Sequence, residues 1–556
     1  MATELLLVML VAIGLTIFAE RFRLQPPLLL VIVGLGASFI PGLHPPSLEP
    51  ETILGIVVPP LLYSAALDFS FSSFVKRLAS ILNLSVALVF VTTAAVGFAA
   101  AALMPGLPLA VAFILGAALA PPDAVSAVAI GRQLGLPHRL MTILKGESLV
   151  NDAAALALFG VATLWARSGA EHPGNAALAF LYAAVVGALL GIGIGQVVDR
   201  IRRRLDKPSL VTTLSVLVPF SAYALAERLH ASGVVAVVFA GFTLSHRSAD
   251  LGFAGRMQER EVWRVFDALL EAFAFAYMGL QMRSLILQAQ ANGFDASSLL
   301  EVAALLLWVV IGVRLAWIML SAVVARWRYR LRRAAARTYS RVGMAPEPLS
   351  WGENLVLGWS GMRGVVTLAA AAATPQLTDA GTPLPGHSAI ILIAYVVAVG
   401  TLLLHGLSLP ALVRAQRLPP DDIEATRRER RHAKTVMHAS AAHTLELLQQ
   451  RGDFSAAELD AARRLVSRKE QQADAAAADG AAAEAGAPVP SRKARLLAVA
   501  HEVLVAQRRA LIAERDERRL DDEVLREMLE SLDLEQALMA NRSGLLMTQP
   551  SEASSS

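Results

Sequence analysis

The sequence predicts an all-α polytopic membrane protein with about thirteen transmembrane helices and a helical cytoplasmic tail. Three observations carry that prediction. Hydrophobic residues make up 55% of the chain and charged residues 17%, where soluble domains run at about 45–50% and about 25%. Apolar stretches long enough to cross about 30 Å of hydrocarbon recur along most of the chain. Positive charge collects in alternate loops between them. The low charge and a mean hydropathy of +0.52 exclude disorder, and the absence of cysteine excludes a disulfide scaffold.

The apolar stretches run over 3–19, 26–41, 51–69, 78–104, 107–130, 140–166, 175–198, 209–228, 231–246, 262–287, 297–325, 351–374 and 387–413. The first has Glu4 in place of a basic leader region and no small-residue cleavage site, so it reads as a retained helix. Those near 26–41 and 231–246 are short and must sit inside the bundle or bend. Loops on one side carry 22 basic residues, including Arg200, Arg202, Arg203, Arg204 and seven arginines from Arg326 to Arg341. The other side has Arg167, Arg228 and Arg283. This asymmetry predicts an external N-terminus and a cytoplasmic tail.

Charge and composition divide the chain at about residue 416. Residues 1–416 hold 29 basic and 22 acidic side chains; residues 417–556 hold 21 and 24. The basic pI therefore reflects topology and implies no nucleic-acid partner. The tail predicts a helix over 421–471, with apolar residues spaced around Leu445, Leu448, Leu459 and Leu465. A linker of Ala, Gly, Asp and Pro follows over 472–490, then a second helical stretch from about Arg492 to Met539. The run Arg427–Arg431 reads as a solvated face beside anionic lipid, with a regulatory contact as the alternative.

Charges at bilayer depth are costly and mark functional positions. In the fifth stretch, Pro121 and Pro122 remove two successive backbone donors and Asp123 follows at once. That breaks the helix and frees carbonyls, a device tolerated only against protein or a water-filled cavity. In the sixth, Glu147, Ser148, Asn151 and Asp152 fall within six residues. At 3.6 residues per turn they share one stripe, which must face the interior. Two carboxylates so close require a proton or a shared cation. The twelfth stretch places Arg363 between Gly361 and Gly364. A buried guanidinium stays charged and needs a counter-charge, for which Glu147 is the first candidate and Asp123 the second.

Weaker positions complete the polar set. Glu271 lies deep enough to line an access path or to pair with Arg314. Tyr63 and Ser64 follow the Pro59-Pro60 break and face the same interior. Glu227 sits at a span end, where a cap or a pair with Arg228 suffices, and Asp68 reads as structural. His405 reads as a packed polar residue. There is no G-x-x-x-x-G-K-[ST] loop, no metalloprotease motif and no potassium-filter sequence. ATP-driven transport and enzymatic chemistry are thereby disfavoured, and no cofactor is expected.

Five motifs occur in order over about residues 5–415. GESLVNDAAALALF resembles the G-E-S-L-L-N-D helix of the NhaP/NHE-type monovalent cation/proton antiporters. APPDAVSAV is similar to their broken helix, PPLLYSAA to their P-P-[LI]-[LI]-F-E segment, AERLHASGVVAVVFAG to their A-E-x-x-x-x-S-G helix, and MRGVVTLA to their buried R-G motif. The resemblance implies inverted repeats, two broken crossing helices, a core domain moving against a dimerisation domain, and homodimers. It also implies that Asp152 carries the exchanged cation or proton, assisted by Asp123 and Ser148, with Glu147 and Arg363 as an internal ion pair. Asn151, where other branches carry a second Asp, implies electroneutral exchange. Two departures stand out: Pro122 replaces the usual Thr, and Ser64 replaces the usual Glu. Both lower the site's negative charge and ligand count, which argues against strong sodium selectivity and makes potassium, or broad monovalent selectivity, plausible. A uniporter or channel-like protein, or a sensor signalling through its tail, are the competing readings.

Overall fold

The computed structural model describes residues 2–41, 53–69, 77–168, 174–205, 207–247, 253–338, 348–418, 423–451, 454, 490–517, 519–520 and 522–542. Its secondary structure is almost entirely helical, with a lone bridge between Leu377 and Pro383. The chain divides into two compact units, Met1–Ser248 with Gln258–Asp421, and Ala249–Met257 with Asp422–Ser556.

The first unit follows the apolar stretches. It runs α1 (Ala2–Arg21), α2 (Pro26–Ser38), α3 (Val58–Leu67), α4 (Leu78–Leu103), α5 (Leu109–Leu119), α6 (Ala124–Leu134), α7 (His138–Ser168), α8 (Gly174–Arg202), α9 (Pro208–Arg228) and α10 (Gly233–His246). It continues with α11 (Phe253–Leu280), which begins in the second unit's short segment, then α12 (Met282–Ala291), α13 (Ala296–Thr338), α14 (Trp351–Trp359), α15 (Val365–Ala372) and α16 (His387–Gln416). Seven of these helices are long and apolar enough to cross a membrane alone, and α11 with α12, bent by 42°, makes an eighth. The remaining stretches are short, as in α2, α3 and α10, or broken, as in α5–α6 and α14–α15.

Helix starts follow local chemistry. Pro26 and Pro208 stand in the first turns of α2 and α9, where no backbone donor is needed. The Ser232 hydroxyl accepts the Val235 N–H at the start of α10, and the Glu227 carboxylate accepts the Gly233 N–H at 3.4 Å. Glu227 therefore acts as a cap. Ser350 and Glu353 close a reciprocal capping box on α14.

Contacts sort the first unit into two groups. Helices α4, α5 and α7 pack with α13, α15 and α16, while α3 packs with α9 and α10, and α8 packs on both of these. The second group is drawn together by small residues. A Cβ at Gly187 would stand 2.7 Å from the Ser232 carbonyl, one at Gly191 would strike the Ala236 carbonyl, and one at Gly195 would stand 2.7 Å from the Thr243 Cβ. Three glycines four residues apart thus let α8 lie backbone against backbone on α10.

The second unit holds α17 (Ile423–Arg451), α18 (Pro490–Asp516) and α19 (Asp522–Arg542). Ala433, Leu504, Leu511, Leu525 and Leu532 form one core and Leu445, Leu448, Val499 and Val503 another. The expected single stretch from Arg492 to Met539 is two helices, because Leu520 turns inward between them at 2% exposure. Arg430, expected on a lipid-facing run, pairs with Glu527 of α19. Asp533 takes hydrogen bonds from Arg508 and from Arg256 of the short segment. Leu459, Leu465 and linker residues 472–489 lie outside the described residues.

Candidate functional site

The site forms where two interrupted helices meet. α5 ends at Leu119, residues 120–123 are non-helical, and α6 starts at Ala124; α14 ends at Trp359, residues 360–364 are non-helical, and α15 starts at Val365. The Asp123 N–H donates to the Met362 carbonyl at 2.6 Å, which ties one break to the other. A helix end carries about half an elementary charge, positive at the N-terminus and negative at the C-terminus. Arg363 serves the negative end: its Nε donates to the Leu119 carbonyl at 2.8 Å, its Nη2 to Ala120 at 3.4 Å and its Nη1 to Gly361 at 2.6 Å. The Asp123 carboxylate serves a positive end, close enough to Gly364, the N-cap of α15, that a Cβ there would run into it.

This corrects the expected ion pair. Glu147 pairs with Arg314 of α13, whose Nη1 and Nη2 both donate to its carboxylate, the second at 2.9 Å. Arg314 also donates to the carbonyls of Gly358 and Leu357, at 3.2 and 3.1 Å, satisfying the end of α14. Both partners are 2% exposed. Arg363 needs no carboxylate because the free carbonyls at the end of α5 supply its negative partner. Glu271 in turn is not the partner of Arg314.

The polar stripe of α7 meets the crossing. Asn151, fully buried, donates from Nδ2 to the Pro122 carbonyl at 2.8 Å, and its Oδ1 is buried without a hydrogen-bond partner. A small cavity is lined by Pro122, Asp123, Glu147, Ser148, Asn151 and Arg314, among others. Asp152, 6% exposed, is outside that lining set, yet the charge of Asp123 acts on it. Asp123, Ser148 and Asn151 are therefore brought together at one cavity, with Asp152 one residue on along α7, and their carboxylate, hydroxyl and amide oxygens are the groups able to ligate a cation. Hard oxygen ligands suit alkali cations.

The other expected positions scatter. Tyr63 is fully buried; its hydroxyl shares Ser215 with the Trp263 indole and its ring lies 5.0 Å from that of Trp263. It packs α3 against α9 and α11. His405, 1% exposed, packs on the Trp359 ring at 4.8 Å. Sequence reasoning misses two acidic residues. Glu353, at 0% exposure, holds Arg139 in a two-pronged pair as well as capping α14. Asp267 accepts a hydrogen bond from Ser64 at 2.5 Å. Its position four residues before Glu271, on the same helix face, is the signal the sequence offers.

Comparison with known proteins agrees with this architecture. The profile of the family described as sodium/hydrogen exchanger, transmembrane, matches residues 6–415. An uncharacterized Na(+)/H(+) exchanger of Mycobacterium bovis is 33% identical over 535 residues, covering 95% of this chain and 94% of that one. A sodium, potassium, lithium and rubidium/H(+) antiporter of Bacillus pumilus is 30% identical, covering 73% of this chain and 60% of that one. The sodium proton antiporter MjNhaP1 from Methanocaldococcus jannaschii shares the fold, with a TM-score of 0.57 at 17% identity over 74% of this chain and 97% of that one. With its crossed broken helices and a family match spanning nearly all of the apolar chain, the protein is a multi-pass transporter of the sodium/hydrogen exchanger family.

Proposed function

We propose that the protein exchanges one monovalent cation, sodium or potassium, for one proton, with the two competing for Asp152. The single observation that best supports this is the Asn151 side chain. Its amide is fixed to the helix break, and its carbonyl oxygen is left buried and unpartnered on the residue that precedes Asp152 in α7. An orphaned buried oxygen is costly, and a cation held between it, Asp152, Asp123 and Ser148 removes the cost. Binding a proton or a cation each neutralises one charge, and only a neutralised site crosses hydrocarbon cheaply. One group serving both ions couples the fluxes without any further device. Potassium joins sodium as a cargo because Pro122 lacks the hydroxyl and Ser64 the carboxylate that the family carries in those places, and the Bacillus pumilus relative is named for four alkali cations.

Alternating access by a core moving within a homodimer, an external N-terminus and a cytoplasmic regulatory tail complete the reading. They are supported by the motif resemblance and by the loop charges. The cargo ions need no cofactor. In proteoliposomes with an internal pH dye, Asp152→Asn should abolish cation-driven proton release. An imposed membrane potential should leave the rate of the unmodified protein unchanged. Full exchange by the mutant would sink the proposal, and a flux that follows the potential would favour a channel.

A further inference from the structure

Asp267 is not required by the site as described. It stands on α11, one helical turn before Glu271, and no arginine or lysine pairs with it among the described residues. Its Oδ2 is clamped by the Ser64 hydroxyl from α3 at 2.5 Å, and Ser64 is 7% exposed. Its Oδ1 is buried and has no hydrogen-bond partner. A carboxylate with one oxygen satisfied and the other buried and orphaned, on a half-buried side chain, is an unfavourable arrangement unless something positive visits it.

Its neighbours extend the picture. The charge of Asp68 acts on Asp267, Asp267 and Asp123 both act on Glu271, and Asp123 acts on Asp152. Arg132 is the one cation acting on Glu271. The carboxylates thus form a series of overlapping fields that leads from the end of α3 to the transport carboxylate on α7. Such a series concentrates cations along its length. Ser64, which lacks the acidic group expected at that place, positions an acid borrowed from the neighbouring helix.

We propose that Asp267, held by Ser64, is a staging carboxylate that takes a monovalent cation ahead of Asp152 and sets the apparent cation affinity. The proposal rests on the exchange reading above. The cation approaches the free Oδ1 while the Ser64 hydroxyl keeps Oδ2 in place, then passes toward Glu271 and Asp123. The alternative role is a structural tie between α3 and α11, which needs only the hydrogen bond.

The test uses the full chain in proteoliposomes and reads both half-saturating cation concentration and maximal rate, for sodium and for potassium. Asp267→Asn keeps an oxygen acceptor for Ser64 but removes the charge. Its half-saturating concentration should rise about tenfold, the scale of one carboxylate acting across a few ångström, with maximal rate retained. Ser64→Ala should shift it in the same direction by less. The double variant Ser64→Glu with Asp267→Asn returns a carboxylate to the same place and should recover most of the lost affinity. Unchanged half-saturation in Asp267→Asn, or a loss that Ser64→Glu does not recover, overturns the staging role. Failure of the exchange reading looks different: there, the unmodified protein does not exchange or Asp152→Asn still does.

Discussion

Glu147 and Arg314 form a two-pronged ion pair, sealed at 2% exposure, between α7 and α13. The same guanidinium closes the last carbonyls of α14. One arginine therefore joins three helices around the crossing, and its counter-charge sits one residue from Ser148. Removing either partner strands a buried charge, which costs about 3–5 kcal/mol. Arg314→Ala should lower the melting temperature of the detergent-solubilised protein sharply. Combining Glu147→Gln with Arg314→Met should recover part of that loss. A single mutant as stable as the unmodified protein would remove the pair from the stabilising set.

Arg363 should respond differently. Its partners are backbone carbonyls of α5 and of the second break. Arg363→Lys keeps the charge but loses the fork, so it should cost less than Arg363→Ala. Two melting curves compare them directly, and equal losses would show that charge plays no part.

Gly361 and Gly364 have no room for a methyl group, the first against Arg314 and the second against the Asp123 carboxylate. Gly361→Ala and Gly364→Ala should each cost about 1–3 kcal/mol through overpacking, and Gly364→Ala should also slow exchange by shifting Asp123. Gly135 is a useful contrast. It has a φ of +65° with open space around it, so Gly135→Ala should cost only about 1–2 kcal/mol, through backbone strain alone. Proton-flux assays on the three variants separate the two effects.

Outside the spans, Asp295 precedes α13. It takes hydrogen bonds from the Ser297 hydroxyl at 2.5 Å and from the Ser298 N–H and hydroxyl at 3.0 and 2.7 Å. Led by the Ser297 bond, these lower its pKa to about 2. The folded value lies below the unfolded one of about 3.9, so the helix-start stabilisation is complete above that value. It fades as pH falls toward 2. An NMR titration of the Asp295 carboxyl should show its midpoint near 2, and exchange assays at neutral pH should not register Asp295→Asn through titration. A midpoint near 4 would mean the three hydrogen bonds do not persist.

Much of the site is legible in the residues alone. Pro121-Pro122 announces the first break, although the Pro59-Pro60 pair, expected to break its helix too, stands within the continuous helix Gly55–Leu67, and the six-residue stripe from Glu147 to Asp152 marks polar groups that the fold buries. The pairing is not legible there. Glu147 and Arg314 lie 167 residues apart, and spacing along one helix says nothing about which other helix faces it. The assignment to Arg363 follows from requiring a carboxylate for every buried guanidinium. The carbonyls of a severed helix end also meet that requirement, and a linear pattern hides them. Asp267 is inconspicuous because it falls near the start of an apolar run, where acidic residues are ordinary; only the Ser64 contact distinguishes it.

The three glycines of α8 carry a consequence for sequence variation. Lipid-facing positions such as Leu181 and Leu189, at 56% and 65% exposure, can exchange one apolar side chain for another with little effect. Gly187, Gly191 and Gly195 cannot accept even a methyl group without prising α8 from α10. Within one helix, permissive and forbidden positions therefore alternate around the circumference. Drift along the lipid-facing side is nearly free, while the opposite side holds the distance between two helix axes fixed.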